Sequence, residues 1–196
     1  MIDRAEIERS LTGAGHLFLN RPDAMRFFDT STGGFWRSFQ AIVLVLPTYA
    51  VTALASGRFV ASGADGEALV SGTGFVIARA MTLGLDWVAL PILLAATAGM
   101  LGIKGRYPAF IVARNWATVL LILPFAAISL LELIGMASPQ IAAFLSLVAL
   151  MAVFRFSYLV ARRALEATID VAIAIVALDY LVSLLIATVV DRAFGI

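Results

Sequence analysis

The 196 residues contain no cysteine, one lysine and one histidine. Without cysteine there is no disulfide, no thiolate metal site and no cysteine nucleophile. The lone histidine, His16, has hardly any partners for a metal, so it reads as a surface or packing residue, and neither a metal nor a cofactor is expected. Charge is scarce as well. Charged residues make up 14% of the chain, where a soluble domain carries about a quarter. A formal net charge of +1 offers no basic patch for nucleic acid, which is excluded as a partner. The opening Met1-Ile2-Asp3-Arg4-Ala5-Glu6 places charges where the apolar part of a signal peptide would start, so none is read there. Thirteen arginines against one lysine, with much alanine, match the composition of GC-rich bacterial genes, an association rather than a physical argument.

What is present in quantity is apolar sequence. The chain is 62% hydrophobic, with a mean hydropathy of +0.99. A bilayer core about 30 Å thick asks for about 20 helical residues, and five runs meet that length at about 39–55, 83–103, 109–134, 141–160 and 171–190. They show no period-two alternation, and a helix pairs its backbone internally where lipid cannot. The expected fold is therefore all-α: a polytopic membrane protein with a bundle of five transmembrane helices over 39–196, preceded by a cytoplasmic amphipathic helical segment over 1–38.

Basic residues orient the bundle. Arg4, Arg9, Arg21, Arg26, Arg37, Lys104, Arg106, Arg155, Arg162 and Arg163 fall on one side, against Arg58, Arg79 and Arg192 on the other. By the positive-inside rule the N-terminus is cytoplasmic and the C-terminus periplasmic, in a bacterial inner membrane. In the N-terminal segment, Asp3–Leu19 can form a helix and Pro22–Asp29 a second short one. Thr30-Ser31-Thr32-Gly33-Gly34 reads as a break, after which Phe35 and Trp36 suit a membrane interface. The segment either lies on the membrane surface or docks on the bundle. Gly57–Gly72, with Asp65 and Glu67, reads as the one sizeable external loop, and Phe75–Thr82 as an interfacial turn leading into the second span. Arg79 and Asp86, counted back from Lys104, then fall about 38 and 27 Å from the inner face, and they read as interfacial charges, as does Glu132. Pro47, Pro91 and Pro124 kink the first three spans.

Three charges resist that reading. Arg114 lies eight residues past Arg106, Arg155 eight before Arg163 and Asp179 nine past Asp170. All three sit about 12–14 Å in from the cytoplasmic face. A charge at the bilayer centre costs about 2.5–3.5 kcal/mol on insertion scales, so Arg114, Arg155 and Asp179 are expected to form one buried cluster, with Asn115 and Thr118 adding hydrogen bonds. Its role is either an internal lock or a solute-binding layer. Arg155 has the further option of snorkelling to the headgroups.

The layout resembles the Yip1-type family of small five-helix membrane proteins. The residues concerned are Arg21-Pro22-Asp23-Ala24-Met25-Arg26-Phe27-Phe28 before the first span and Gly102-Ile103-Lys104-Gly105-Arg106-Tyr107 between the second and third. The Asp-Leu-Tyr-Gly-Pro signature of the eukaryotic members is absent, so the resemblance implies the topology and carries no trafficking role with it. Two functions remain. One is a non-enzymatic accessory subunit or organiser that binds membrane lipids and a partner protein or a second copy of itself. The other is a small oligomeric transporter or channel for an anionic solute, using the Arg114–Arg155–Asp179 layer. An enzyme is not expected, because the core has neither a histidine-rich nor a paired-aspartate constellation.

Overall fold

The structure, a computed structural model, describes residues 3–61 and 73–196. Among these the chain is helical, with no strand. Eight α-helices follow in order: α1 (Arg4–Phe18), α2 (Thr32–Ser38), α3 (Ile42–Ala61), α4 (Thr73–Thr97), α5 (Tyr107–Leu121), α6 (Leu123–Leu133), α7 (Pro139–Leu165) and α8 (Ile169–Phe194). Five runs are long and apolar enough to cross a membrane: Thr32–Arg58, Thr73–Thr97, Tyr107–Leu133, Pro139–Leu165 and Ile169–Phe194. The all-α, five-span expectation holds, while its boundaries move in ways that matter.

The first span starts earlier than expected. Gly33 and Gly34, read as breakers, lie inside α2. Ser31 caps that helix by accepting the Gly34 amide at 3.1 Å, and a 3-10 turn over Phe39–Ala41 joins α2 to α3. Gly34 is there for clearance rather than for flexibility. A Cβ at this position would come within 2.0 Å of the Asp29 carbonyl oxygen, so only glycine lets the preceding turn pass this closely. Gly57–Ala61 continue α3 rather than opening a loop. The rest of that expected loop, with Asp65 and Glu67, lies outside the described residues.

The second span is displaced. Residues 75–82, expected to form an interfacial turn, are helical from Thr73, and the helix ends at Thr97 instead of continuing to residue 103. The third span breaks at Ile122, where Pro124 in the first turn of α6 cannot continue the ladder of α5. Arg58 of α3 donates to the Leu133 carbonyl at the end of α6, at 2.7 Å.

The central helix is α5. Phe110, Ile111, Val112, Ala113, Asn115, Trp116 and Ala117 are all buried on it, and it touches α1, α2, α3, α4, α6 and α7. Around it α3 packs chiefly on α6 and α4 on α8. Leu181, Leu184, Leu185 and Val189 point outward from α8, which is where lipid tails belong.

The N-terminal segment is docked on the bundle. Asp3 caps α1 by accepting the Glu6 amide at 2.6 Å. The face with Ser10, Gly13, Ala14 and Leu17 is buried against α5 and α7, small residues allowing the close approach. The second short helix expected at Pro22–Asp29 is a 3-10 turn over Ala24–Phe27, packed so tightly on Gly13 that a Cβ there would sit 2.8 Å from the Phe27 Cβ. Arg37 of α2 ties the unit together, donating to Glu6 at 2.8 Å and Asp29 at 2.6 Å. His16 lies edge-on to the Phe27 ring and 3.3 Å from an Asp23 carboxylate oxygen, which makes it part of this packing.

Candidate functional site

The polar groups of the bundle collect along the seam between the antiparallel helices α4 and α8. On α8, Asp179, Ser183 and Asp191 are four and eight residues apart and therefore share a face. On α4, Arg79 and Asp86 are two turns apart on the matching face. At the end away from α1, Arg79 pairs with Asp191, its guanidinium lies 5.4 Å from the Phe75 ring centroid, and the Tyr49 hydroxyl of α3 donates to its carbonyl at 3.0 Å. Deeper in, the Ser183 hydroxyl donates to Asp86. Deeper still, Arg114 of α5 donates to Asp179 at 2.9 Å.

These layers are electrically connected. Asp86 is within electrostatic range of both Arg114 and Asp179, and Tyr49 of Arg79, Asp86 and Asp191. Two arginines and three aspartates thus share the seam. Beside the Arg114–Asp179 pair is a cavity of about 30 Å³, lined also by Thr118 and Ser157. That volume accommodates one or two water molecules, and Arg114, whose buried Nε has no acceptor among the described residues, lines it.

The expected cluster assembles only in part. Arg114 and Asp179 meet, and the side chains expected to join them do not. Arg155 is exposed and turns away to α1, donating to the Phe18 carbonyl at 3.1 Å, with its guanidinium 5.9 Å from the Phe18 ring centroid. It caps the last carbonyl of α1, a position where the helix dipole favours a cation. Asn115 is fully buried but faces α2, where it donates to Ser38 Oγ at 3.0 Å. Consecutive helical residues diverge by about 100°, so Asn115 cannot follow Arg114 to α8. Thr118 lines the cavity, yet its hydroxyl donates back to the Arg114 carbonyl at 2.9 Å.

No family model, curated protein or solved structure matches this chain. The site therefore rests on its own geometry. Arg79 and Asp86, read from sequence as interfacial, are members of the seam. The depth count took α4 to run to residue 103, whereas it ends at Thr97. From that end Asp86 is about 16 Å along the helix, close to the middle of α4. The spacing Arg79/Asp86 against Asp179/Ser183/Asp191 was the available signal, and only an antiparallel register turns it into contacts.

Chemically, the arrangement gives each charge of the seam a partner within the bundle. Each arginine on the seam has a carboxylate partner, and each aspartate has an arginine or a hydroxyl. Such pairing meets the requirement that ionisable groups in lipid find partners inside the protein.

Proposed function

We propose that this chain is a non-enzymatic integral membrane subunit or organiser. It acts through partner proteins and lipids at its membrane-facing helices and its docked N-terminal unit. The observation that carries this reading is the closure of the intramembrane charge layer. Arg79, Asp86, Arg114, Asp179 and Asp191 each find a charged or hydroxyl partner among themselves and Ser183, and the cavity beside the Arg114–Asp179 pair holds about 30 Å³. A solute larger than water has no room beside that pair. The alternative, an anion carrier, drew on two arginines facing one aspartate. With Arg155 capping α1, the layer has more aspartates than arginines, a poor lure for an anion.

The positive-inside argument supports a cytoplasmic N-terminus and a periplasmic C-terminus, in a bacterial inner membrane. The Yip1-type layout, a docked N-terminal segment before five closely spaced spans, fits the same reading. The test is reconstitution of the purified full chain in sealed liposomes, with a halide, acetate or phosphate gradient across the bilayer. The subunit reading expects wild type and Asp179→Asn to be equally leak-tight, with Asp179→Asn less stable to heat. Flux in the wild type that is lost in a stably folded Asp179→Asn would overturn it in favour of transport.

A further inference from the structure

At the α1 end of the bundle, the junction of α7 and α8 has two adjoining hollows. The first is a polar basin of about 350 Å³ lined by Asn20, Tyr158, Arg162, Arg163 and Glu166. The second is an apolar groove of about 600 Å³ between α7 and α8, lined by Phe154, Tyr158, Ile173 and Leu181 among others. Tyr158 lines both, so the basin and the groove adjoin at that side chain. The lining from Ile169 to Leu181 extends about 18 Å along α8, close to the roughly 15 Å of one leaflet's hydrocarbon. Ile169, Ile173 and Leu181 are more than half exposed, leaving the groove open sideways to the membrane, and the edge-on pair Phe154–Tyr180, centroids 5.1 Å apart, marks its deep end.

The basin is cationic. Its one carboxylate, Glu166, is engaged from outside by Arg106 at 2.6 Å. Arg162 donates to the Ala167 carbonyl, and Arg163 donates to Asn20 Oδ1 at 2.9 Å. Among the described residues neither arginine has a carboxylate partner, so both positive charges stand uncompensated and keep N–H groups free. Guanidinium binds phosphate oxygens in a planar, bidentate fashion, and an open apolar groove in a membrane loses dispersion contacts along its lining unless a chain fills it.

We propose that this pair of hollows binds one anionic phospholipid, its phosphate between Arg162 and Arg163 and one acyl chain along the α7–α8 groove. The charge balance selects the headgroup, and the length and lateral opening select the chain. The proposal needs the chain to be membrane-embedded, and it holds whether or not a protein partner exists. It is tested by native mass spectrometry of the purified full chain in a nonionic detergent, titrated with phosphatidylglycerol or with phosphatidylcholine of the same acyl chains. Wild type should bind one phosphatidylglycerol with roughly tenfold preference, and the double substitution Arg162→Gln, Arg163→Gln should remove the preference. Ala177→Trp, on the exposed groove face, should weaken both lipids about equally, and it tests the groove even if the double variant fails to fold. Equal binding of the two lipids to wild type would overturn the proposal. So would a preference that survives the arginine substitutions, unchanged binding by Ala177→Trp, or a dimer whose formation expels the lipid. Liposome flux is a separate readout, so failure of the lipid site and failure of the subunit reading are told apart.

Discussion

Arg114 and Arg155 begin with the same credentials and end in different regions of the molecule. Each is eight residues from a basic residue at the α1 end of the bundle, on helices that pack against each other. Arg114, largely buried on the central helix, closes on Asp179 at 2.9 Å. Arg155, on the rim of α7, closes on the Phe18 carbonyl at 3.1 Å and helps hold the N-terminal unit in place. One charge is an internal tie among spanning helices; the other is a clamp between the bundle and α1. Depth is fixed by counting residues, whereas the direction around the helix axis is fixed by which neighbour is within reach.

The largest effect of substitution belongs to the interior tie. Asp179→Asn leaves Arg114 without its counter-charge in a low-dielectric site, and removing one partner of a buried pair costs about 3–5 kcal/mol. Thermal unfolding in detergent should show a clear drop in midpoint. Replacing both partners, Arg114→Met with Asp179→Leu, should recover most of that loss, because an apolar pair has no charge to leave unpaired. If the double replacement is as damaging as Asp179→Asn, the pair contributes something beyond neutralisation.

Next comes Gly34→Ala in the N-terminal unit. The added Cβ would collide with the Asp29 backbone, and overpacking of this kind costs about 1–3 kcal/mol. Limited proteolysis should cut between residues 19 and 31 faster in this variant than in wild type, while the spans stay protected. A smaller effect is expected of Arg155→Gln, which removes a charge-assisted cap on α1 worth about 0.3–1 kcal/mol. Amide exchange should quicken in the last turn of α1 and remain unchanged around Asp179.

The smallest effect is an acid one. Hydrogen bonds from Ser31, its side chain and then its amide, hold the Asp29 carboxyl below its ordinary value, with Arg37 adding to the shift. A lowered carboxylate stabilises the folded unit above its unfolded value of about 3.9 and loses that contribution as the pH falls through the lower folded value. Exchange protection at the start of α2 should therefore weaken in acid, and Asp29→Asn should remove that component of the pH dependence.

Much of the architecture was legible because lipid imposes simple rules. Five apolar runs, their helical state and an early helix from near Asp3 follow from length and residue type alone. The Arg114–Asp179 contact was legible too, since a buried charge needs an opposite one at its own depth. What escaped was set by local geometry. Gly33-Gly34 reads as a helix breaker until Asp29 is seen pressed against it. The early stop of α4 at Thr97 puts Asp86 near the middle of that helix, and no proline or charge near that position announced it. Asn115 and Arg155 were expected beside Asp179 and instead meet Ser38 and Phe18, an angular difference that residue counting does not expose.

The most direct test is a pair of double-mutant cycles on thermal or denaturant stability, Arg114 with Asp179 and Arg155 with Asp179, each partner replaced by its neutral isostere. The account predicts a coupling of about 1 kcal/mol or more in the first cycle and additivity within about 0.5 kcal/mol in the second. Coupling between Arg155 and Asp179, or its absence between Arg114 and Asp179, would contradict the division of labour on which the closed charge layer depends.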